Sequence, residues 1–283
     1  MRKVLKGLLG LALLAAFLYS GLQVYRIFSA YAQAETQYAD LAQYVVSPAP
    51  PPVQTEEAPP QTIVAPPSPQ KESEKTPPLV PDHQVVEEVL WPQVDFDVLR
   101  AINPEIVGWL TIEGTNIHYP VVQGQDNDFY LTHQFDKSPS RAGCLFVDMV
   151  NDAAFSDPNT IIYGHYTKDR SMFYELRGYK QQDFFDAHPT GWLITPSAAY
   201  KLQFFSGYVS DVYGDAWDTD FTEKDYAEWL TARKTKSVFA ADLLPQEADR
   251  VLTLSTCSYE FEDARFVLHA ILEEQSVSRP IEE

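Results

Sequence analysis

Twelve of the chain's 21 prolines fall between Pro48 and Pro81. Proline lacks the backbone N–H that helices and ladders need, and runs such as Pro50-Pro51-Pro52 favour the extended polyproline conformation. With few apolar residues among them, residues 47–82 cannot bury enough surface to offset the entropy of ordering. Whatever folds in this 283-residue chain must therefore lie on either side of that stretch. The longer side, 83–275, holds about 190 residues, the size of one domain, and is followed by a short tail, 276–283. At ~3.1 Å per residue the proline-rich segment reads as an extended spacer reaching up to roughly 100 Å.

The shorter side has a different character. Gly7 to Tyr25 is 19 residues without a charge, rich in Leu and Ala. As a helix it spans roughly 28 Å, close to the ~30 Å hydrocarbon core of a bilayer. Arg2, Lys3 and Lys6 precede it, so the positive-inside rule places residues 1–6 in the cytoplasm and everything after Tyr25 outside. The expected order is a basic terminus (1–6), a transmembrane signal-anchor (7–25), a helical stalk (26–46), an extracellular linker (47–82) and the folded domain. Ala30-Tyr31-Ala32 offers a signal-cleavage site as the alternative, and both readings export the domain. The net charge of −19 is uneven: residues 1–34 hold four basic residues and no acid, leaving 17 basic against 40 acidic residues beyond. Such a surface repels phosphate backbones, which excludes nucleic acid as a partner. It repels anionic lipid as well, so membrane contact is confined to the first segment.

Within 83–275, residues 84–103 carry apolar positions for one or two amphipathic helical turns, broken near Pro92. Eight short segments rich in β-branched and aromatic residues follow: 107–112, 117–122, 144–148, 160–163, 191–195, 200–210, 250–257 and 265–272. Eight strands with few helices predict a mainly β chain closed into a barrel, which removes exposed edges. One helix is expected inside the strand region, from about Glu223 to Lys236. Thr222 and Asp225 form a capping-box pattern, Phe221 and Tyr226 a hydrophobic staple, and Tyr226, Trp229, Leu230 and Arg233 share a face.

The run from Val251 to Cys257 (VLTLSTC) reads as a buried strand ending in a thiol, and the next strand opens with Arg265. In an antiparallel pair the end of one strand lies beside the start of the next, so the guanidinium should sit by the sulfur. There it can stabilise a thiolate, or an oxyanion formed on an attacked carbonyl. A thiol of ordinary pKa is only slightly ionised at neutral pH and needs a base or a cationic setting. Of six histidines, His83 falls in the linker region, His118 and His133 have no evident link to the thiol, and His188 precedes a proline in a turn. His269 faces the side of Arg265 but ~13 Å further along the strand. His165 closes a buried strand after Gly164, which permits a sharp turn or close approach, and is the best-placed base. Cys144 reads as a core residue. A Cys144–Cys257 disulfide, in a non-catalytic anchored binding module, stays open on these grounds, as does a hydrolytic cysteine endopeptidase.

Several motifs then point one way. Leu254-Ser255-Thr256-Cys257 followed by Arg265 resembles the sortase signature, and Asn159 to His165 (NTIIYGH) resembles the segment carrying the sortase histidine. Ser171-Met172-Phe173, Asn103-Pro104, Val107-Gly108-Trp109-Leu110, Gly114-Thr115-Asn116-Ile117, Tyr119-Pro120-Val121-Val122 and Asp126 to Leu131 (DNDFYL) are similar to class B members, in the same order. The match covers about Val98 to Leu272. It implies an eight-stranded sortase-type barrel with N-terminal helices and a long helix between barrel strands six and seven. It implies His165, Cys257 and Arg265 as catalytic residues, and Asn127, Leu131, Tyr163 and Ser255 as substrate-groove residues. The implied activity is transpeptidation outside the cell membrane of a Gram-positive-type envelope. A surface protein's C-terminal sorting motif is cleaved through a Cys thioester, and the acyl group passes to an amine of a cell-wall precursor or a pilin lysine. That chemistry needs no metal or organic cofactor.

Overall fold

The structure, a computed structural model, describes residues 2–46, 91–222 and 225–275. The expectations for His83, for the turns over 84–90 and for the tail 276–283 lie outside those residues.

The N-terminal segment is one continuous helix, α1 (Arg2–Ala42), which merges the expected anchor and stalk. Its first half leaves Leu8, Phe17, Leu18 and Tyr25 exposed, and it is long and apolar enough to cross a membrane. Its last turns behave differently. Ala34, Tyr38 and Leu41, spaced four and three apart on one helix face, are buried in the main core. Strand β1 (Val45–Val46) then pairs antiparallel with β2 (Gln93–Val94). The two flanks of the proline-rich stretch thus meet in one ladder. The proline-rich linker expected over 47–82 itself lies outside the described residues.

Helix α2 (Phe96–Ile102) starts at Asp95, whose carboxylate accepts from the Val98 N–H at 3.1 Å. The barrel follows: β3 (Ile106–Thr111), β4 (His118–Val122), β5 (Leu145–Val147), β6 (Asn159–Tyr163), β7 (Thr190–Ile194), β8 (Ala199–Asp211), β9 (Val251–Cys257) and β10 (Ala264–Gln275). These are the eight expected strands, shifted at most by a few residues at their ends. They close in the order β10-β8-β7-β3-β4-β5-β6-β9, with β4–β5 and β6–β9 parallel and the other pairs antiparallel. Strand β9 sits between β6 and β10, and six of its seven residues are buried. Both its faces are covered, which is why it reads as a continuous run instead of an alternating one.

Short helix α3 (Gln182–Ala187) precedes β7, and α4 (Tyr226–Lys236) lies between β8 and β9, the sixth and seventh barrel strands. The α4 cap is a correction. Thr222 bonds back to Asp220, while the Asp225 carboxylate accepts from the Glu228 N–H at 2.9 Å. Asp225 is the cap, so the helix begins at Tyr226 and runs eleven residues. The Phe221–Tyr226 ring contact of the staple is present, centroids 4.7 Å apart. Arg233, fully buried on α4, is held by the Asp215 carboxylate at 2.5 Å and lies 5.0 Å over the Trp229 ring.

Candidate active site

Three adjacent strand ends build the site. Cys257 closes β9, and Arg265 on β10 lies directly opposite it in the ladder. On the other flank the parallel register pairs Tyr163 with Ser255, and the Gly164 N–H donates to the Ser255 carbonyl at 3.1 Å. Carrying that register on by two residues brings His165 level with Cys257. The order across the rim is therefore imidazole, thiol, guanidinium.

Gly164 is required for this. A Cβ there would come within 2.5 Å of Leu145 and of Phe173, so only glycine lets β6 close down beneath the histidine. The His165 Nε2 lies 2.7 Å from the Leu131 carbonyl. A carbonyl oxygen only accepts, so Nε2 carries the proton and Nδ1 is left with its lone pair. Gly143, at φ +64°, sits under the same ring, and a Cβ there would meet the Tyr130 carbonyl at 2.6 Å. Its own carbonyl accepts from the Tyr38 hydroxyl of α1 at 2.6 Å.

A cleft of about 350 Å³ opens at this rim, and all seven residues singled out from the sequence line it: Asn127, Leu131, Tyr163, His165, Ser255, Cys257 and Arg265. Their polar groups are partly committed. The Asn127 side-chain oxygen accepts from the Met149 N–H at 2.8 Å, which turns its amide N–H groups outward as donors. The Tyr163 hydroxyl donates to Asp148 at 2.8 Å, and burial together with that carboxylate pushes the phenol far above its ordinary value, so it stays neutral. Ser255 accepts from the Trp217 indole at 3.1 Å and keeps its own hydroxyl proton to donate.

Phe146, Gly164, Val212 and Thr256 also line the cleft without having been assigned a groove role from the sequence. Val212 is the instructive case. It lies 45 residues before Cys257 in the chain, and it reaches the site only because the end of β8 pairs with the start of β10, Ser210 opposite Arg265. Strand alternation of Leu145-Phe146-Val147 gave a signal for Phe146, since one of its faces must point to the rim.

The remaining described histidines are engaged elsewhere. His118 accepts from the Trp109 indole, His133 stacks on Phe129, and His188 bonds the Glu113 carbonyl. His269 is fully buried between Thr253 and Tyr208, and burial pushes its pKa down to about 3. Both cysteines are free, which removes the disulfide alternative. Cys144 is enclosed in the core, and burial pushes its thiol up to about 12. A thiol held neutral and away from the surface is no nucleophile.

Comparison with known proteins agrees with this arrangement. A family model described as Sortase domain matches residues 110–273. Sortase B of Listeria monocytogenes is 40% identical over 177 residues, covering 62% of this chain and 72% of that one. Among solved structures, a Staphylococcus aureus sortase B–substrate complex superposes with a TM-score of 0.61 at 36% identity, covering 64% of this chain and 85% of that one. Sortase B of Clostridium perfringens gives a TM-score of 0.60 at 37% identity, covering 63% and 99% respectively.

Proposed function

Since the chain belongs to the sortase family and to its class B, a group of cysteine transpeptidases, we propose that Cys257, His165 and Arg265 carry the reaction on a surface-protein sorting motif. The observation that supports this most is the row of His165, Cys257 and Arg265 on three neighbouring strand ends at the mouth of one cleft. A peptide of the general form x-P-x-T-G or N-P-x-T-N lies in the cleft. Asn127 and Ser255 offer it donors, and Leu131 and the ring of Tyr163 offer apolar wall.

The Cys257 thiol passes its proton to His165 Nδ1, and the resulting thiolate attacks the Thr carbonyl carbon, forming a C–S bond while the C=O π pair moves to the oxygen, an oxyanion beside the Arg265 guanidinium. Collapse of that intermediate breaks the scissile C–N bond, and the leaving amine takes a proton from His165. In the second half-reaction an amine of a cell-wall precursor, or of a pilin, attacks the thioester carbon. His165 accepts its surplus proton, and the electron pair of the C–S bond returns to sulfur. The Nε2–H bond to Leu131 fixes the ring so that Nδ1 handles each transfer.

In the envelope, α1 anchors the enzyme through residues 7–25 with its basic terminus in the cytoplasm and the barrel outside. The test of the activity is incubation of the protein with a sorting-motif peptide library and an added amine, read by mass spectrometry. The expected product is the peptide up to Thr joined to the amine. Free acid as the sole product in the presence of amine would make the enzyme a hydrolytic endopeptidase instead.

A further inference from the structure

Residues paired across neighbouring strands share a face of the sheet, so the ladder sorts the floor of the cleft into rows. The upper row holds His165, Cys257 and Arg265. The row beneath it holds Tyr163, Ser255, Val267 and Tyr208, opposite one another on β6, β9, β10 and β8. Only half of that second row is open. Tyr163 and Ser255 line the cleft, whereas Val267 and Tyr208 are buried. The next row of the same face, Ile161, Thr253, His269 and Ser206, is buried throughout. Helix α4 covers it: the Trp229 ring stands edge-on to His269, and the Arg233 carbonyl accepts from the Ser206 hydroxyl. The cleft therefore ends within the second row. What ends it is Trp217, which packs on Tyr208 and Val267 and donates its indole N–H to the Ser255 oxygen at 3.1 Å.

Trp217 closes a single 3₁₀ turn, Asp215–Trp217, that follows β8. Three residues of that geometry have little stability of their own. This turn is tied down by its surroundings instead. The Asp215 carbonyl accepts from the Arg233 guanidinium at 2.6 Å and from the Trp229 indole at 2.7 Å. The Asn159 amide on β6 donates to the Ala216 carbonyl at 3.3 Å and to the Asp218 carbonyl at 2.9 Å. The Asp215 carboxylate pairs with both Arg233 and Lys236 of α4. A guanidinium taken wholly out of water is unfavourable unless it is paired, and here its partners all belong to this one turn. Helix α4 and strand β6 thus fix the place of one ring, and that ring meets the cleft only through Ser255.

We propose that Trp217 is a positioning residue for the donor peptide: its indole N–H holds the Ser255 hydroxyl with the O–H turned into the cleft, toward an oxygen acceptor of the peptide. The inference rests on the reading of the cleft as the donor-peptide site and adds to it how Ser255 is set as a donor. An indole nitrogen only donates, so the serine oxygen accepts there and its single proton is left for another partner. Among the described residues no side chain or carbonyl takes that proton. A serine hydroxyl without such a neighbour rotates freely or bonds back to its own backbone. Trp217 removes that freedom before the peptide arrives, which lowers the cost of ordering the hydroxyl on binding.

The test is a double-mutant cycle on the full chain in detergent micelles, with the donor peptide it cleaves best in the library experiment. Trp217→Phe keeps a ring over Val267 and removes the N–H, and Ser255→Ala removes the hydroxyl. Ser255→Ala should raise the donor KM by about three- to tenfold and Trp217→Phe by about threefold, the range of one neutral hydrogen bond. Turnover should change by less than about twofold in both, because a contact made equally in ground and transition states is uniform binding. The double variant should be no worse than Ser255→Ala alone, since the indole acts only through that hydroxyl. Ser255→Thr keeps a hydroxyl and should restore most of the affinity together with its dependence on Trp217. A ring that only supports the fold would give losses that multiply in the double variant, and that outcome overturns the proposal, as does a Trp217→Phe KM equal to wild type. Trp217→Met, a flexible side chain with no donor, carries the same cycle if the Phe variant does not fold. Absence of cleavage by the wild-type protein would bring down the donor-peptide reading itself, whereas cleavage with independent losses overturns this role alone.

Discussion

Replacing Tyr38 tests whether the folded unit begins before the proline-rich stretch. Tyr38 is 5% exposed, sets its ring edge against Tyr119 at 5.2 Å, and donates its hydroxyl to the buried Gly143 carbonyl. Tyr38→Phe keeps the ring and removes the donor, leaving a buried carbonyl unpaired at a cost of about 1–3 kcal/mol. Tyr38→Ala removes the ring as well and opens a cavity, costing about 3–5 kcal/mol. For a unit of this size each kcal/mol lowers Tm by roughly 2–4 °C. Near-ultraviolet circular dichroism reports the barrel's own tryptophans, Trp109, Trp192 and Trp229 among them, and so follows its unfolding whatever the membrane helix does. The Phe variant should melt roughly 2–12 °C below wild type and the Ala variant lower still. If both variants melt within a degree of wild type, α1 does not stabilise the barrel. The fold then begins at residue 91.

Further outcomes are expected at the site and in the core. Cys257→Ala should abolish thioester formation and cleavage, while Cys144→Ala should keep most activity and cost about 1 kcal/mol for a lost buried sulfur. Inactivity of the Cys144 variant in the peptide assay would reverse the assignment. Arg265→Lys keeps the charge and loses the forked donor geometry, so turnover should fall by about 10²- to 10³-fold, and a Lys variant within a few-fold of wild type would exclude the oxyanion role. His269 donates from Nδ1 to Thr253, whose own hydroxyl proton goes to Asn159, and it accepts from Tyr208. With its folded pKa depressed to about 3, the unfolded chain binds the extra proton below about pH 6.5, so stability should fall with pH from there toward about 3. Denaturant melts across that window should show a shallower slope in His269→Gln; an unchanged slope would mean that other groups titrate. Sequencing of the mature N-terminus should begin within the first residues, and a start at Gln33 would show that the Ala30-Tyr31-Ala32 site is cut.

The Asp215–Arg233–Lys236 cluster adds an acid limit of its own. Partial burial raises the Asp215 carboxyl, but the hydrogen bonds and charges of Arg233 and Lys236 outweigh it and hold the group well below the usual carboxylate range. A depressed carboxyl stabilises the fold above its unfolded value, near pH 4, and that contribution is lost as pH falls further. Because Arg233 is wholly buried, protonating its partner leaves a charge without compensation beneath α4.

What the sequence by itself determined was local and repetitive. Short runs rich in β-branched and aromatic residues placed eight strands to within a few residues, because such side chains pack well on a pleated surface. The order VLTLSTC then Arg265 placed a cation beside a thiol, because adjacent antiparallel strands must meet at their ends. It also separated His165 from five other histidines, through the glycine that lets β6 close under it. What only the tertiary structure decided were contacts between distant segments. Parallel pairing of β6 with β9 is not implied by either strand alone, yet it is what levels His165 with Cys257. Val212 enters the cleft through the β8–β10 register. The N-terminal segment shows the same division most plainly. Its apolar run and its prolines were legible from composition, and they read as anchor, stalk and tether. Three side chains on the far end of that helix, and the two-residue β1–β2 ladder, join the end of the stalk to the folded unit. Neither carries a sequence signal, because an ordinary Ala, Tyr and Leu on a helix face say only that something covers them, and the covering surface is made of strands that begin more than sixty residues later.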